Sequence, residues 1–521
     1  MAQIKINNLS FQYDSYGDDI FKNVSINIDT EWKLGLIGRN GRGKTTFLKL
    51  LKGDYKYSGQ ILSPVNFDYF PMDIKDNTKL AIHVIREAIA PFDKWEEELE
   101  LYSKDPKYMK EYGDVLDKYL IHDGYIINEL IEKEVRKIGL DSEILDRTFN
   151  TLSYGEQTKL LLSALFLKKN NFLLIDEPTN HLDAEGRECV ANYLYKKTGF
   201  ILVSHDRDFL DKIIDHVLSI NKSNIDIQKG NYSTWQLNHD RRNDFEKAEN
   251  EKLLKEIKRL KVTSKQKSSW SDKLEATKVG NGPVDRGYIG HKAAKMMKRS
   301  KCLEKRQDKA IEEKTKLLKN VEAVDRLDIN NITSNYDTLI NVIDLQIKYE
   351  NELFENPISF KIKQRERIWL RGKNGCGKSS IIKLLMGEKI DYTGHIDKIE
   401  KISYVSQDTS FLNGNIKEFA KNKEIDEQYL KSSLIQLGLV DTQFEKNIEE
   451  WSEGQKKKLL IAASLSEKAE LYIWDEPLNF IDVISRIQIE NMIIEEGITM
   501  LFVEHDKCFG NNIATKIVDI I

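Results

Sequence analysis

No run of about 18 apolar residues occurs in the 521-residue chain, so no segment is expected to cross a bilayer as a helix. Cysteine is scarce. Cys189, Cys302, Cys376 and Cys508 are scattered with no Cys-x-x-Cys pair, which argues against disulfides, thiolate-bound zinc and iron–sulfur clusters. The opening MAQIKINNLSFQYDSYGDD lacks the charged start and apolar stretch of a secretory signal, so the expected location is the cytoplasm, with no membrane partner. What is there, 40% hydrophobic and 31% charged residues, suits a globular protein with room for about three domains. The formal net charge of −4 hides an uneven distribution. Residues 251–320 hold 21 Lys/Arg against 9 Asp/Glu, a net of +12, which leaves −16 for the remainder.

The chain repeats itself. GRNGRGKTT at 38–46 recurs as GKNGCGKSS at 372–380, each after an apolar stretch (LGLI, IWL) and before another (FLKLLKG, IIKLLMG). This is the strand, Gly-rich loop and helix order of a P-loop. Three more landmarks follow in the same order: SYGEQ with SEGQK, FLLIDEP with LYIWDEP, and ILVSHD with LFVEHD. Ser153 to Glu177 and Ser452 to Glu476 both span 24 residues, and the next intervals, to His205 and to His505, are 28 and 29. Upstream the copies differ, because Lys44 to Ser153 is 109 residues and Lys378 to Ser452 only 74. The extra residues are expected as a small insert within about 80–125, rich in Trp, Tyr and Glu.

The repeated residues carry a recognisable chemistry. Glycines free backbone N–H groups to surround phosphate oxygens, and the helix that follows presents its positive end to them. The candidate nucleotide-binding residues are therefore Gly38, Arg39, Asn40, Gly41, Arg42, Gly43, Lys44, Thr45 and Thr46, with Gly372, Lys373, Asn374, Gly375, Cys376, Gly377, Lys378, Ser379 and Ser380. Lys44 and Lys378 suit the β and γ phosphates of ATP, while Thr45 and Ser379 offer a hydroxyl to Mg²⁺. Asp176 and Asp475, at the ends of apolar strands, are placed to hold Mg²⁺ through water, and Glu177 and Glu476 to polarise the attacking water. Each half has the parts of an ATP hydrolase.

These motifs resemble the ABC ATPase superfamily over nearly the whole chain, with LSYGEQ at 152–157 and WSEGQ at 451–455 standing for its LSGGQ signature. The resemblance implies an α/β fold of two tandem ABC nucleotide-binding domains that pair head to tail, here within one monomeric chain. Carried over, Ser153 and Gly155 would complete the second ATP site, and Ser452 and Gly454 the first. His205 and His505 match the switch histidine, and Gln407 the metal-facing Q-loop glutamine. The first copy departs from the pattern, with Met72 in place of that glutamine, so the two sites are expected to be unequal. Tyr13 and Tyr349 are candidates to stack on adenine.

Between the copies, residues 240–326 read as an antiparallel helical hairpin. Leu253, Leu254, Ile257 and Leu260 mark one apolar face, and Leu303, Ile311, Leu317, Leu318 and Val321 the returning helix. GNGPVDRGYIG at 280–290 breaks the helix, so the tip falls at about 278–292. The expected domains are thus 1–239, 240–326 and 327–521. Two ABC domains, no membrane segment and a basic linker resemble the ABC-F family, and within it the antibiotic-resistance group of the Vga and Lsa type. That likeness implies a ribosome-associated protein that displaces lincosamide, pleuromutilin and streptogramin A drugs. The linker would enter the tRNA exit site, with its flanks on P-site tRNA and its tip on 23S rRNA near the peptidyl-transferase centre. HKAAKMMKRSKCLEKR at 291–306 suits contact with phosphates. The alternatives are a housekeeping ABC-F translation factor and, in another class, the ATPase subunit of an ABC exporter.

Overall fold

The computed structural model describes residues 2–13, 20–180, 182–220, 225–242, 329–348, 357–372 and 375–520, with Leu327 and some residues between 244 and 258. The chain divides into two compact units, Met1–Tyr232 with Val324–Ile521, and Ser233–Ala323. In the second unit, every described residue from 233 to 258 is helical. The expected tip at 278–292 and the returning helix lie outside the described residues.

The first unit holds two lobes of one design. Each has a three-stranded antiparallel sheet, ordered Phe21–Asp29, Gln3–Phe11, Ser58–Leu62 in the first lobe and Ile358–Lys363, Thr338–Ile347, Tyr392–Lys398 in the second. Each also has a parallel sheet. In the second lobe its order is Ile402–Val405, Leu471–Asp475, Met500–Val503, Arg367–Arg371, Lys516–Asp519. The first lobe repeats that order with Asn66–Phe70, Asn171–Asp176, Phe200–Val203, Lys33–Ile37 and His216–Ile220, then adds Ile225–Lys229 as an antiparallel edge. Strands such as Phe200–Val203 and Met500–Val503 are buried at every residue, because helices cover both faces of a parallel sheet. Their continuous apolar sequences follow from this.

The P-loop strand lies inside each sheet, and its loop leaves from the carboxyl edge, separated by one strand from the strand that ends in Asp176 or Asp475. Sheet order therefore brings phosphate-binding and metal-binding motifs together although they are about 130 residues apart in the first lobe.

Between the Q-loop position and the signature, the first lobe has two helices, Phe92–Tyr102 and Met109–Ile121, without counterparts among the described residues of the second. Buried Arg86 fastens them, donating to Asp93 (3.1 Å), Glu96 (2.6 Å) and Asn128 (2.8 Å). Phe92 meets Tyr119 edge to face with ring centroids 6.1 Å apart.

The lobes are also joined by a buried ion pair. Arg207 of the first lobe bonds both carboxylate oxygens of Glu490 of the second, one of them at 3.2 Å, and Asp506 lies 3.6 Å away. The matching positions in the other half are Lys507 and Ala191, which cannot make such a pair. Removing one charge of a buried pair costs about 3–5 kcal/mol, whereas replacing both by apolar groups is often neutral. Glu490→Gln should therefore lower stability to thermal or denaturant unfolding, and Arg207→Met with Glu490→Leu should regain most of the loss. Equal losses in the single and double variants would contradict this account of the interface.

Candidate active site

In the first lobe the helix Lys44–Lys52 starts from Gly43 at φ 88°, a backbone that side chains resist. A β-carbon at Gly43 would also lie 2.8 Å from Ile20 Cγ2. The loop is closed on itself: Lys44 Nζ donates to Gly38 O (2.7 Å) and to Asn40 Oδ1 (3.1 Å). Burial lowers the Lys44 pKa, opposed by the charges of Asp482, Glu177 and Asp176. Thr45 Oγ1 donates to Asp176 Oδ2 at 2.8 Å, so the hydroxyl and carboxylate expected to hold Mg²⁺ already converge. These are hard oxygen donors, as Mg²⁺ requires. In the second lobe Lys378 Nζ reaches Gly372 O (2.9 Å) and Ser379 bonds Asp475. Tyr13 bonds Thr46 Oγ1 (2.9 Å) and sits edge-on to Phe11 and Tyr55. Lys373, Asn374 and Tyr349 lie outside the described residues.

Both glutamates that follow the metal-binding aspartates have left-handed backbones, φ 49° at Glu177 and 47° at Glu476. Such strain, about 1–3 kcal/mol, is characteristic of functional positions. Each is anchored from the next strand, Glu177 N to Val203 O (2.9 Å) and Glu476 N to Val503 O (3.0 Å). Each also faces its histidine, Glu177 at 3.3 Å from His205 Nε2 and Glu476 at 3.1 Å from His505 Nε2.

Their further surroundings differ. Glu476 Oε2 accepts from Gln407 Nε2 and Asn479 Nδ2, both at 2.8 Å. Although burial opposes it, the hydrogen bond and charge of His505 hold its pKa below the usual range. Glu177 has Met72 where Gln407 would be, and burial with the Asp176 charge pushes it up to about 7. Burial also pushes Asp475 up to about 6. Lys457, its pKa lowered by burial, ties Ser406 O (3.0 Å) to Glu476 O (3.2 Å), a link for which Thr158 in the first lobe lacks the reach.

Across the lobe interface, Asn40 of the first P-loop donates through Nδ2 to Phe480 O (2.7 Å) and through N to Asp482 Oδ2 (3.3 Å). Gly454 of the second signature is buried here: a β-carbon on it would lie 3.0 Å from Asn40 Nδ2 and 2.6 Å from Phe480 O. Arg39 likewise approaches Gly438. Asp482 is fully buried and accepts from Lys458 Nζ (2.7 Å), Ser485 N (2.9 Å) and Ser485 Oγ (3.0 Å). Burial opposes its ionisation, but the charges of Lys458 and Lys44 outweigh that and keep its pKa well below the usual carboxylate range.

The structure thus brings the first P-loop against Gly454. Ser153 caps the helix Tyr154–Leu167 and donates through N and Oγ to Glu156, both at 2.8 Å. Ser452 caps Glu453–Ser466 in the same way with Gln455. At the second P-loop there is a cavity of about 590 Å³, where Lys378, Ser379, Gln407 and Glu476 face Asn180, Leu182 and Arg187 of the first lobe. Motif spacing does not single out Asp482, Lys458, Arg207 or Tyr69. For Asp482 a signal exists, since Asp183 and Asp482 close the matched stretches PTNHLD and PLNFID.

This geometry defines a P-loop ATPase with two unequal sites that share residues across one interface. A family model described as ABC transporter matches residues 21–180 and 355–479, more than half of the chain. The chain belongs to that family, as an ABC-F ATPase with tandem ABC domains that hydrolyses ATP with Mg²⁺. It is 27% identical to the ribosome protection protein VmlR of Bacillus subtilis (strain 168), covering 95% of this chain and 83% of that one. It is 25% identical to the energy-dependent translational throttle protein EttA of Escherichia coli (strain K12), covering 96% and 89%. Its fold is similar to that in the crystal structure of the archaeal ribosomal stalk protein aP1 with the archaeal ribosome recycling factor aABCE1. There the TM-score is 0.59 at 18% identity, over 98% of this chain and 87% of that one.

The two lobe-end aspartates offer a direct test of the inequality. Asp183→Ala should cost about 1 kcal/mol, the worth of its helix cap on Gly186 N. Asp482→Ala also strands buried Lys458 and should cost about 3–5 kcal/mol. Chemical unfolding of the two variants measures the difference, and equal losses would refute a special role for Asp482.

Proposed function

We propose that the chain is an ATP-driven, ribosome-binding ABC-F factor of the cytoplasm that protects the ribosome from drugs acting at the peptidyl-transferase centre. The observation that carries the reading is a segment of net charge +12, residues 251–320, inserted between two ATP sites that share residues across one interface. Clustered Lys and Arg neutralise nucleic-acid phosphates without reading sequence, as ribosomal RNA and tRNA binding requires. The similarity to a ribosome protection protein over 95% of the chain supports the resistance reading over an exporter subunit. Among the described residues no helix is long and apolar enough to cross a membrane.

In this mechanism Mg²⁺ and ATP supply the metal ion and the phosphoanhydride bond that is cleaved. Lys44 and Lys378 bind the β and γ phosphates, and Thr45, Ser379, Asp176, Asp475 and Gln407 orient the metal. Glu177 and Glu476 take up a proton from the attacking water, held in place by His205 and His505. Ser153 with Gly155 and Ser452 with Gly454 close over the opposite lobe's nucleotide, so ATP binding draws the lobes together. The closed form fits the ribosome. The linker then enters the tRNA exit site, with residues 278–292 reaching toward the peptidyl-transferase centre and the flanking segments on P-site tRNA and 23S rRNA. Hydrolysis releases the lobes.

Glu177→Gln with Glu476→Gln should bind ATP and remain on ribosomes through sucrose-cushion sedimentation, whereas the parent chain in ADP should not. Failure of the double variant to co-sediment in ATP would end the ribosomal reading. Expression of the parent chain in a drug-sensitive host should raise the inhibitory concentration of lincosamides, pleuromutilins or streptogramin A several-fold. Ribosome binding without any such rise would identify a translation factor instead, a role that the likeness to a translational throttle protein favours.

A further inference from the structure

The first ATP site lacks the glutamine that the second has, and the residue in its place, Met72, offers neither a hard oxygen nor a donor. Another side chain reaches the same carboxylate. Tyr69 lies on the strand Asn66–Phe70, which pairs in parallel with Asn171–Asp176. Its phenol donates to Asp176 Oδ2 at 3.0 Å, the oxygen that also accepts from Thr45 Oγ1 at 2.8 Å. Two donors from different elements thereby fix one carboxylate. A phenol, with an ordinary pKa of about 10, is protonated at neutral pH and so acts as the donor.

The second site is built differently. Tyr404 holds the corresponding strand position, yet its phenol bonds Ser406, which stands where the first lobe has Pro71. Gln407 is engaged with Glu476, and Asp475 Oδ1 is buried without a hydrogen-bond partner. The tyrosine-to-aspartate contact is thus found beside Met72 and is missing beside Gln407.

We propose that Tyr69 is the positioning residue that orients Asp176 toward the magnesium ion of the first ATP site, where Met72 has replaced the Q-loop glutamine. The proposal rests on the reading of Asp176 as a magnesium-orienting carboxylate. Groups that orient a ligand from outside the coordination shell typically contribute about 10–100-fold in metal affinity. Tyr69 would act by holding the carboxylate rather than by touching the metal.

The test uses the full chain with Lys378→Ala, which removes nucleotide from the second site, and reads Mn²⁺ bound with ATP by electron paramagnetic resonance. Tyr69→Phe should weaken Mn²⁺ binding about tenfold, Tyr404→Phe should leave it unchanged, and adding Met72→Gln to Tyr69→Phe should restore most of the affinity. Unchanged Mn²⁺ affinity in Tyr69→Phe overturns the proposal. So does a loss matched by Tyr404→Phe, or one that Met72→Gln does not recover, since either points to a packing role. Asp176→Asn separates the two levels: if it too leaves Mn²⁺ binding intact, the underlying assignment of Asp176 has failed.

Discussion

A carboxylate with no access to water must find its partners inside the protein, and Asp482 finds them on three elements at once. Lys458 comes from the signature helix, Ser485 from the helix that Asp482 caps, and the Asn40 backbone from the P-loop of the other lobe. The last of these cannot be made by the second lobe alone. Closing the first ATP site is therefore part of how the second lobe satisfies its own buried charge, and Gly454 is small enough to let Asn40 approach. Arg207 and Glu490 extend the same logic to the helices Arg207–Ile213 and Val483–Glu496 across the interface.

The two sites differ in what holds their glutamates and their metal-binding aspartates. Asp183 caps its helix on Gly186 N, and a cavity of about 590 Å³ lies at the second P-loop. The chemistry is divided in a matching way. Glu476 is held by Gln407, Asn479 and His505 as an ionised carboxylate, while Glu177, which has His205 but no glutamine, keeps its proton up to about pH 7. One site has a less prepared base, and the other a base already held in position.

The sequence made the repeated parts legible because they answer to local rules. Apolar stretches before GRNGRGKTT and GKNGCGKSS mark strands, and the acids after FLLI and LYIW mark where strands end. The α/β class, the tandem domains and the ATPase chemistry followed from those rules. The interface did not. Lys458 is one of three consecutive lysines in SEGQKKK and reads as a solvated charge, yet it is buried against Asp482. Arg207 and Glu490 are 283 positions apart with no shared motif, and Tyr69 looks like any strand aromatic until the neighbouring strand shows what its hydroxyl reaches. Partners chosen by tertiary packing leave no periodicity in the chain.

The parallel sheets keep the same strand order, and both glutamates keep the same strained backbone, so scaffold and catalytic geometry were held. Some of the differences fall at the interface or near the metal-binding residues: Met72 against Gln407, Thr158 against Lys457, Ala191 against Glu490, Arg207 against Lys507. A sheet buried on both faces must keep its strands close-packed, so a changed side chain there has to be matched by its neighbours. An interface between two lobes needs only to satisfy its own charges, and it can do so in one half at the expense of symmetry. The same fold can thus carry two ATP sites with different surroundings, and a single chain is the simplest way to keep two such different halves paired.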